Sequence, residues 1–199
     1  MPAIPRDEPW LRPWLGRLGQ PGSLLLELGC GPGQDAATLD GAGFEVVALD
    51  RSDSMLRLAR TRARRVHLLR ADISAPLPFR DETFDAAIAS LSLHYLTWAQ
   101  TRAAFAEIRR VLRPGQPLLF RVNATDDIHH GAGSGVEVER NLYRAEPGGH
   151  ASLKRFFDEQ SVRQAVEGYF RVEDLRHVTI HRYQHPKQAW QCRAVAESV

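Results

Sequence analysis

The chain of 199 residues carries 26 basic and 24 acidic side chains, a net charge of +2, and 43% hydrophobic residues. That length suits one folded domain of ~100–200 residues, with a core large enough to need no disulfide or metal staple. Two distant cysteines, Cys30 and Cys192, exclude a disulfide-rich scaffold and a four-cysteine zinc site.

The near-balanced charge argues against a nucleic-acid partner, which calls for a strong basic excess. No apolar run reaches the ~18–20 residues that span a bilayer, and the first residues show no signal-peptide core. A cytoplasmic protein with no membrane association is therefore expected. Only Lys154 and Lys187 are lysines; every other basic residue is arginine. This bias is the mark of a GC-rich genome and points to a bacterial source.

Residues 1–22 are rich in proline, yet Trp10, Leu11, Trp14, Leu15 and Leu18 keep helical spacing. A short helix starting near Pro9 is expected, with proline in its first turn. It either packs on the core or forms a lid over a ligand. Leu24–Leu28 is an apolar run that stops at a glycine cluster, as a buried parallel strand does. A helix over 36–42 and a strand over 44–50 follow. Ser52 then caps a helix whose arginine face, Arg57 to Arg65, reads as solvated surface. Strands are expected over 66–71, 84–90 and 118–122, and a helix over 101–112 that Arg113-Pro114-Gly115 breaks. Residues 123–152 are polar and glycine-rich with no clear element. A helix over 158–168 and strands over 170–181 and 188–195 complete the chain. Alternating strands and helices predict an α/β domain with a mostly parallel sheet covered on both faces.

The sharpest motif is Glu27-Leu28-Gly29-Cys30-Gly31-Pro32-Gly33, directly after the first strand. Glycines there allow a tight turn and close backbone approach, and the next helix aims its positive N-terminus at the ligand. Asp50 closes the second strand, where a carboxylate accepts two ribose hydroxyls. Asp72 closes the third, with Ile73 beside it, placed for an adenine amine and ring. One such feature alone is often a plain turn or cap. Three at matching strand ends specify a nucleoside ligand. The glycine spacing, G-x-G-x-G with Gln34 in the sixth position, departs from the dinucleotide fingerprint G-x-G-x-x-G.

At these residues the chain resembles the class I S-adenosylmethionine-dependent methyltransferases, in the small-molecule branch typified by ubiquinone/menaquinone- and tellurite-type enzymes. The likeness runs over roughly residues 22–125 and includes Leu77-Pro78-Phe79, Phe84 to Ile88, Ser92-Leu93-His94-Tyr95 and Arg113-Pro114-Gly115. It implies a Rossmann-like, doubly wound, mostly parallel seven-stranded sheet with one antiparallel strand near the edge. It also implies S-adenosyl-L-methionine as cofactor. Gly29, Cys30, Gly31 and Gly33 would then line the methionine and ribose side, with Glu27 supporting the loop or reaching the cofactor amine. Asp50 would take the ribose, Arg51 and Met55 would flank the adenine, and Asp72 and Ile73 would hold its edge. Ser90 and Leu91 would lie beside the methionyl group.

Methyl transfer asks mainly for alignment, and needs a general base only where the nucleophile carries a tightly held proton. His94, just after the fourth strand, is the candidate base. His129, His130, His150 and Tyr143 lie in the polar segment, and Trp14 lies in the N-terminal helix. Residues 1–22 as a lid and 123–157 as an insert are expected to form the acceptor side of one domain spanning 1–199. Trp14, His129, His130 and Tyr143 would be its substrate residues. Asp126, Asp127, His129 and His130 read as a polar loop, and no metal site is expected. Ser90-Leu91-Ser92-Leu93 stands where amine methylases of nucleic acid carry Asn/Asp-Pro-Pro-Tyr, so a small-molecule acceptor is expected. The enzyme would be a monomer or homodimer. The alternative is a domain that holds the cofactor without catalysis.

Overall fold

The computed structural model describes residues 10–145 and 153–198; the beginning of the expected lid and His150 lie outside the described residues. The chain opens on a 3₁₀ turn, Arg12–Arg17, and then alternates. β1 (Leu24–Leu28), α1 (Gln34–Gly41), β2 (Glu45–Asp50), α2 (Asp53–Arg62), β3 (His67–Arg70), β4 (Ala86–Ser90), α3 (Trp98–Val111) and β5 (Pro117–Asn123) follow in order. Three short strands come next: β6 (Val136–Glu139), β7 (Leu142–Arg144) and β8 (Leu153–Arg155). α4 (Glu159–Val166), β9 (Phe170–Ile180) and β10 (Lys187–Ala196) complete the described residues.

Seven strands form one sheet in the order β3-β2-β1-β4-β5-β10-β9. The first five run parallel, and β10 is antiparallel to both of its neighbours. β1 lies at the point where the order reverses, and its carboxyl end sits between those of β2 and β4. Open parallel sheets bind ligands at this place. Helices cover both faces. The 3₁₀ turn, α1 and α2 pack on one through Leu11, Trp14, Leu18, Ala36, Leu39 and Ala59, against Leu25 and Ile88. On the other, α3 and α4 bring Phe105, Ile108, Val162 and Val166 against Leu26, Leu28 and Phe120. The helix starts follow their cap chemistry: Ser52 accepts from the Met55 amide, and Thr97 and Gln100 form a reciprocal box at α3.

Two expectations are corrected here. Residues 123–152 do hold elements: β6 and β7 lie there and form a separate antiparallel sheet with β8. It is fastened to the start of α3. Arg155, almost fully buried, donates to the carbonyls of Leu96 and Arg140 and pairs with Glu139. Glu139 in turn accepts from the Trp98 amide at 2.8 Å, where the positive end of α3 favours a carboxylate. The expected short N-terminal helix is a 3₁₀ helix over Arg12–Arg17, and its Trp14, expected among the substrate residues, is a core residue.

Candidate active site

The glycine loop leaves β1 through three left-handed residues, Gly29, Gly31 and Gly33, with φ of +72°, +52° and +79°. A Cβ on Gly29 would fall 2.4 Å from the Ser92 Cβ. One on Gly33 would meet Ala59 of α2 at 2.9 Å. These two glycines let the loop lie against its neighbours. A Cβ on Gly31 would meet nothing within 4 Å, because Gly31 faces open space. Asp50 fixes the loop from β2: Oδ2 accepts from the Gly31 amide and Oδ1 from the Ser52 amide, both at 2.8 Å. From the far side the Ser92 hydroxyl donates to the Leu28 carbonyl at 2.6 Å.

Two cavities meet at this loop. The larger, about 610 Å³, is lined by Asp50, Arg51, Asp72, Ile73, Leu96 and Gln100. The other, about 330 Å³, is lined by Glu27, Cys30, Asp35, Ser90, His94, His130, Lys154, Arg182, Tyr183 and Lys187. Gly29, Gly31, Leu91 and Tyr95 line both. Leu91 takes φ of +55°, a strained value for a branched side chain, as the chain turns out of β4. Asp72 accepts from the Ser74 amide and hydroxyl, which hold its carboxyl below the usual range.

The second cavity gathers perturbed groups. Glu27 is 3% exposed and its Oε2 has no hydrogen-bond partner. Burial, reinforced by the charges of Asp35 and Asp50, pushes its carboxyl well above the ordinary range. His94 is 2% exposed and its Nδ1 has no partner. Burial, then the ammonium groups of Lys187 and Lys154, hold its imidazole well below the ordinary value. The Cys30 thiol is pushed up to about 12 by burial, so it is no nucleophile at neutral pH. A brace of side chains closes the near end. Ser90 and Arg121 are register partners on β4 and β5, and the Arg121 guanidinium donates to the Ser90 hydroxyl at 2.7 and 3.1 Å. That guanidinium lies 3.9 Å from the Trp10 ring centroid, and the Trp10 indole donates to both oxygens of Asp35 at 3.0 Å.

Among the residues expected in the site, Glu27, Gly29, Cys30, Gly31, Asp50, Arg51, Asp72, Ile73, Ser90, Leu91, His94 and His130 line one or both cavities. Gly33 sets the helix approach. Four lie elsewhere. Met55 is half-buried on α2 and lines neither cavity. Trp14 is 4% exposed in the core. His129 is exposed and stacks on His185 at 4.8 Å. Tyr143 leans on Phe156 within the small sheet. Asp126 and Asp127 diverge, the first to His177 and the second to Lys187. Sequence reasoning missed Tyr95, Lys154, Arg182, Tyr183 and Lys187. Only the rarity of lysine could have flagged two of them.

Comparison with known proteins finds relatives for this geometry. Residues 25–115 match a family described as a methyltransferase domain. The malonyl-[acyl-carrier protein] O-methyltransferase of Pseudescherichia vulneris is 33% identical over 157 residues, 78% of this chain and 57% of that protein. The demethylmenaquinone methyltransferase of Renibacterium salmoninarum is 35% identical over 99 residues, 50% of this chain and 40% of that one. The chain spans about half the length of the curated relatives it matches. A crystal structure of an S-adenosylmethionine-dependent methyltransferase from Methanosarcina mazei shares the fold at TM-score 0.81. Its identity is 20%, and the match covers 94% of this chain and 98% of that one. Over residues 25–115 the chain is thus similar to methyltransferase domains, and its fold is that of the Methanosarcina mazei S-adenosylmethionine-dependent methyltransferase.

Proposed function

We propose that the protein transfers a methyl group from S-adenosylmethionine to a small-molecule acceptor. The observation that carries this reading is the pair of cavities joined at Gly29, Gly31, Leu91 and Tyr95. One is edged by the carboxylates of Asp50 and Asp72, suited to a nucleoside, and the other by groups suited to an acceptor. The residues present fit the cofactor. Gly31 leaves room at the loop, Asp50 and Asp72 would hold the ribose and the adenine, and the unpartnered Glu27 oxygen would take the methionyl ammonium. Bound there, the cofactor supplies a methyl group already activated on a sulfonium. The chain's own residues align the acceptor, exclude water through Trp10, Tyr95 and Tyr183, and offer His94 as a neutral proton acceptor. No helix among the described residues is long and apolar enough to cross a membrane.

Calorimetric titration checks the cofactor directly. S-adenosylhomocysteine is expected to bind and to raise the melting temperature, by ~2.7 kcal/mol of stabilisation at a hundredfold excess over Kd. NAD is expected to do neither. Equal stabilisation by NAD removes the reading.

Glu27 adds a second expected result. Its folded-state pKa is raised, so the unliganded protein gains stability from the neutral carboxyl at low pH. It loses that gain as pH rises through the folded value. A methionyl ammonium beside Glu27 reverses the preference and expels the proton. Titrations across a series of pH values, each in buffers of different ionisation enthalpy, should therefore report proton release on binding wherever the unliganded carboxyl holds its proton. Glu27→Gln should abolish the release and raise the melting temperature of the unliganded protein at pH ~8. Buffer-independent heats for the native protein would place the cofactor ammonium elsewhere.

A further inference from the structure

The acceptor cavity holds both of the chain's lysines. Every other cation is an arginine, so lysine is exceptional here rather than routine. Lys154 comes from β8 and Lys187 from the start of β10, with Arg182 in the turn between β9 and β10, and all three line the cavity. The strand pleat explains the first: Arg155 points into the seam with α3, so its neighbour Lys154 faces the other way. The ion pairing on this wall is lopsided. Lys187 donates to Asp127 at 2.6 Å. The Asp127 side chain, 0% exposed, is also bound by His130 and by the Gln188 amide, so its capacity is taken up. Lys154 donates to the His130 carbonyl at 3.0 Å and has no carboxylate partner among the described residues.

We propose that this wall holds an oxyanion of the acceptor, a carboxylate or a phosphate ester, through Lys154, Lys187 and Arg182. Lys154, half-buried with no carboxylate of its own among the described residues, is costly to keep charged until a ligand supplies the counter-charge. Burial holds both ammonium groups below their ordinary range; Lys187 depresses Lys154 further, and Arg182 does the same to Lys187. A sulfonium placed at the glycine loop adds another positive charge to the same space. An oxyanion on the acceptor offsets all of these. This inference rests on the methyltransferase reading and specifies its substrate class.

The test uses the scarcity of lysine. Labelling with [13Cε,15Nζ]lysine yields two side-chain signals, both from this wall. The protein is saturated with S-adenosylhomocysteine and titrated with benzoate, phenyl phosphate and, as neutral control, benzamide. At least one oxyanion should move both signals saturably and raise the apparent pKa of Lys154. Benzamide should bind at least ~10-fold more weakly, and Lys154→Met should weaken the oxyanion by a similar factor, as expected when one partner of a charged contact is truncated. S-adenosylhomocysteine affinity should stay unchanged in that variant. Three results overturn the proposal: no saturable shift with either oxyanion, equal binding of benzamide, or a ~10-fold loss of S-adenosylhomocysteine affinity in Lys154→Met. The last would mean that the cations serve the cofactor's own carboxylate. Absence of S-adenosylhomocysteine binding to the native protein removes the underlying reading as well. Its presence without oxyanion binding removes this inference alone.

Discussion

Replacing Asp50 with alanine is expected to weaken S-adenosylhomocysteine binding by at least ~100-fold. The carboxylate already accepts from the amides of Gly31 and Ser52, so both oxygens are held at the end of β2. On the proposed reading, their remaining lone pairs would take the two ribose hydroxyls. Each charge-assisted bond is worth ~1.5–3 kcal/mol. Two of them give ~3–6 kcal/mol, or two to four decades at ~1.4 kcal/mol per decade. The substitution also frees the Gly31 amide, so the loop loses its anchor together with the ligand contact. The fold should persist, because Asp50 lies outside both core clusters. Calorimetry with circular dichroism as a folding control decides the matter. An affinity within ~3-fold of native, under half of one bond's worth, would show that the ribose sits away from Asp50.

The second large effect concerns His94. With an acceptor whose nucleophile carries a proton, His94→Gln should lower kcat by ~10²-fold or more, the range of one general base. Affinity for S-adenosylhomocysteine should not change. The depressed imidazole pKa makes this residue neutral, hence ready to accept a proton, at pH 7. It also has a signature in stability that needs no acceptor. The folded-state pKa lies below the unfolded value of ~6.5, so the unfolded chain binds more protons in the interval between them. Stability is complete above ~6.5 and falls as pH drops toward the folded value. Melting temperatures of the native protein from pH ~8 to ~5 should decline on the acid side, and His94→Gln should flatten that decline between ~6.5 and ~5. Parallel profiles for the two proteins would mean that His94 is solvated and charged in the folded state.

The cofactor half of the molecule was legible because its signals are local. Each parallel strand buried on both faces is written as one apolar run, and each ends on the residue that matters: Leu28 before the loop, Asp50, Ser90. The left-handed turns announce themselves as glycines. The acceptor half was not legible, for the opposite reason. β7 and β8 are three residues long, and their pairing depends on Arg155 reaching Leu96 and Glu139 across the chain. Neither partner is close in sequence. The Val-Glu-Val-Glu stretch of β6 alternates as a strand should, but its outward valines gave it no core to point to. Trp10 and Trp14 read alike in sequence. Only packing separates them, since Leu11, Trp14 and Leu18 share the inner face while Trp10 stands at the rim against Asp35 and Arg121.

The position of β10 sets an order of construction. This strand is the latest described, yet it belongs inside the sheet, hydrogen-bonded along its length between β5 and β9. During synthesis β1 to β5, the glycine loop, Asp50 and Asp72 can all assemble while β10 is still within the ribosome. A nascent chain at that stage would have the nucleoside cavity but not the wall that carries Lys187. It would also present the bare edge of β5, a row of unpaired amides and carbonyls open to strands of other chains. β10 therefore covers the β5 edge in the same step that brings Lys187 to its cavity.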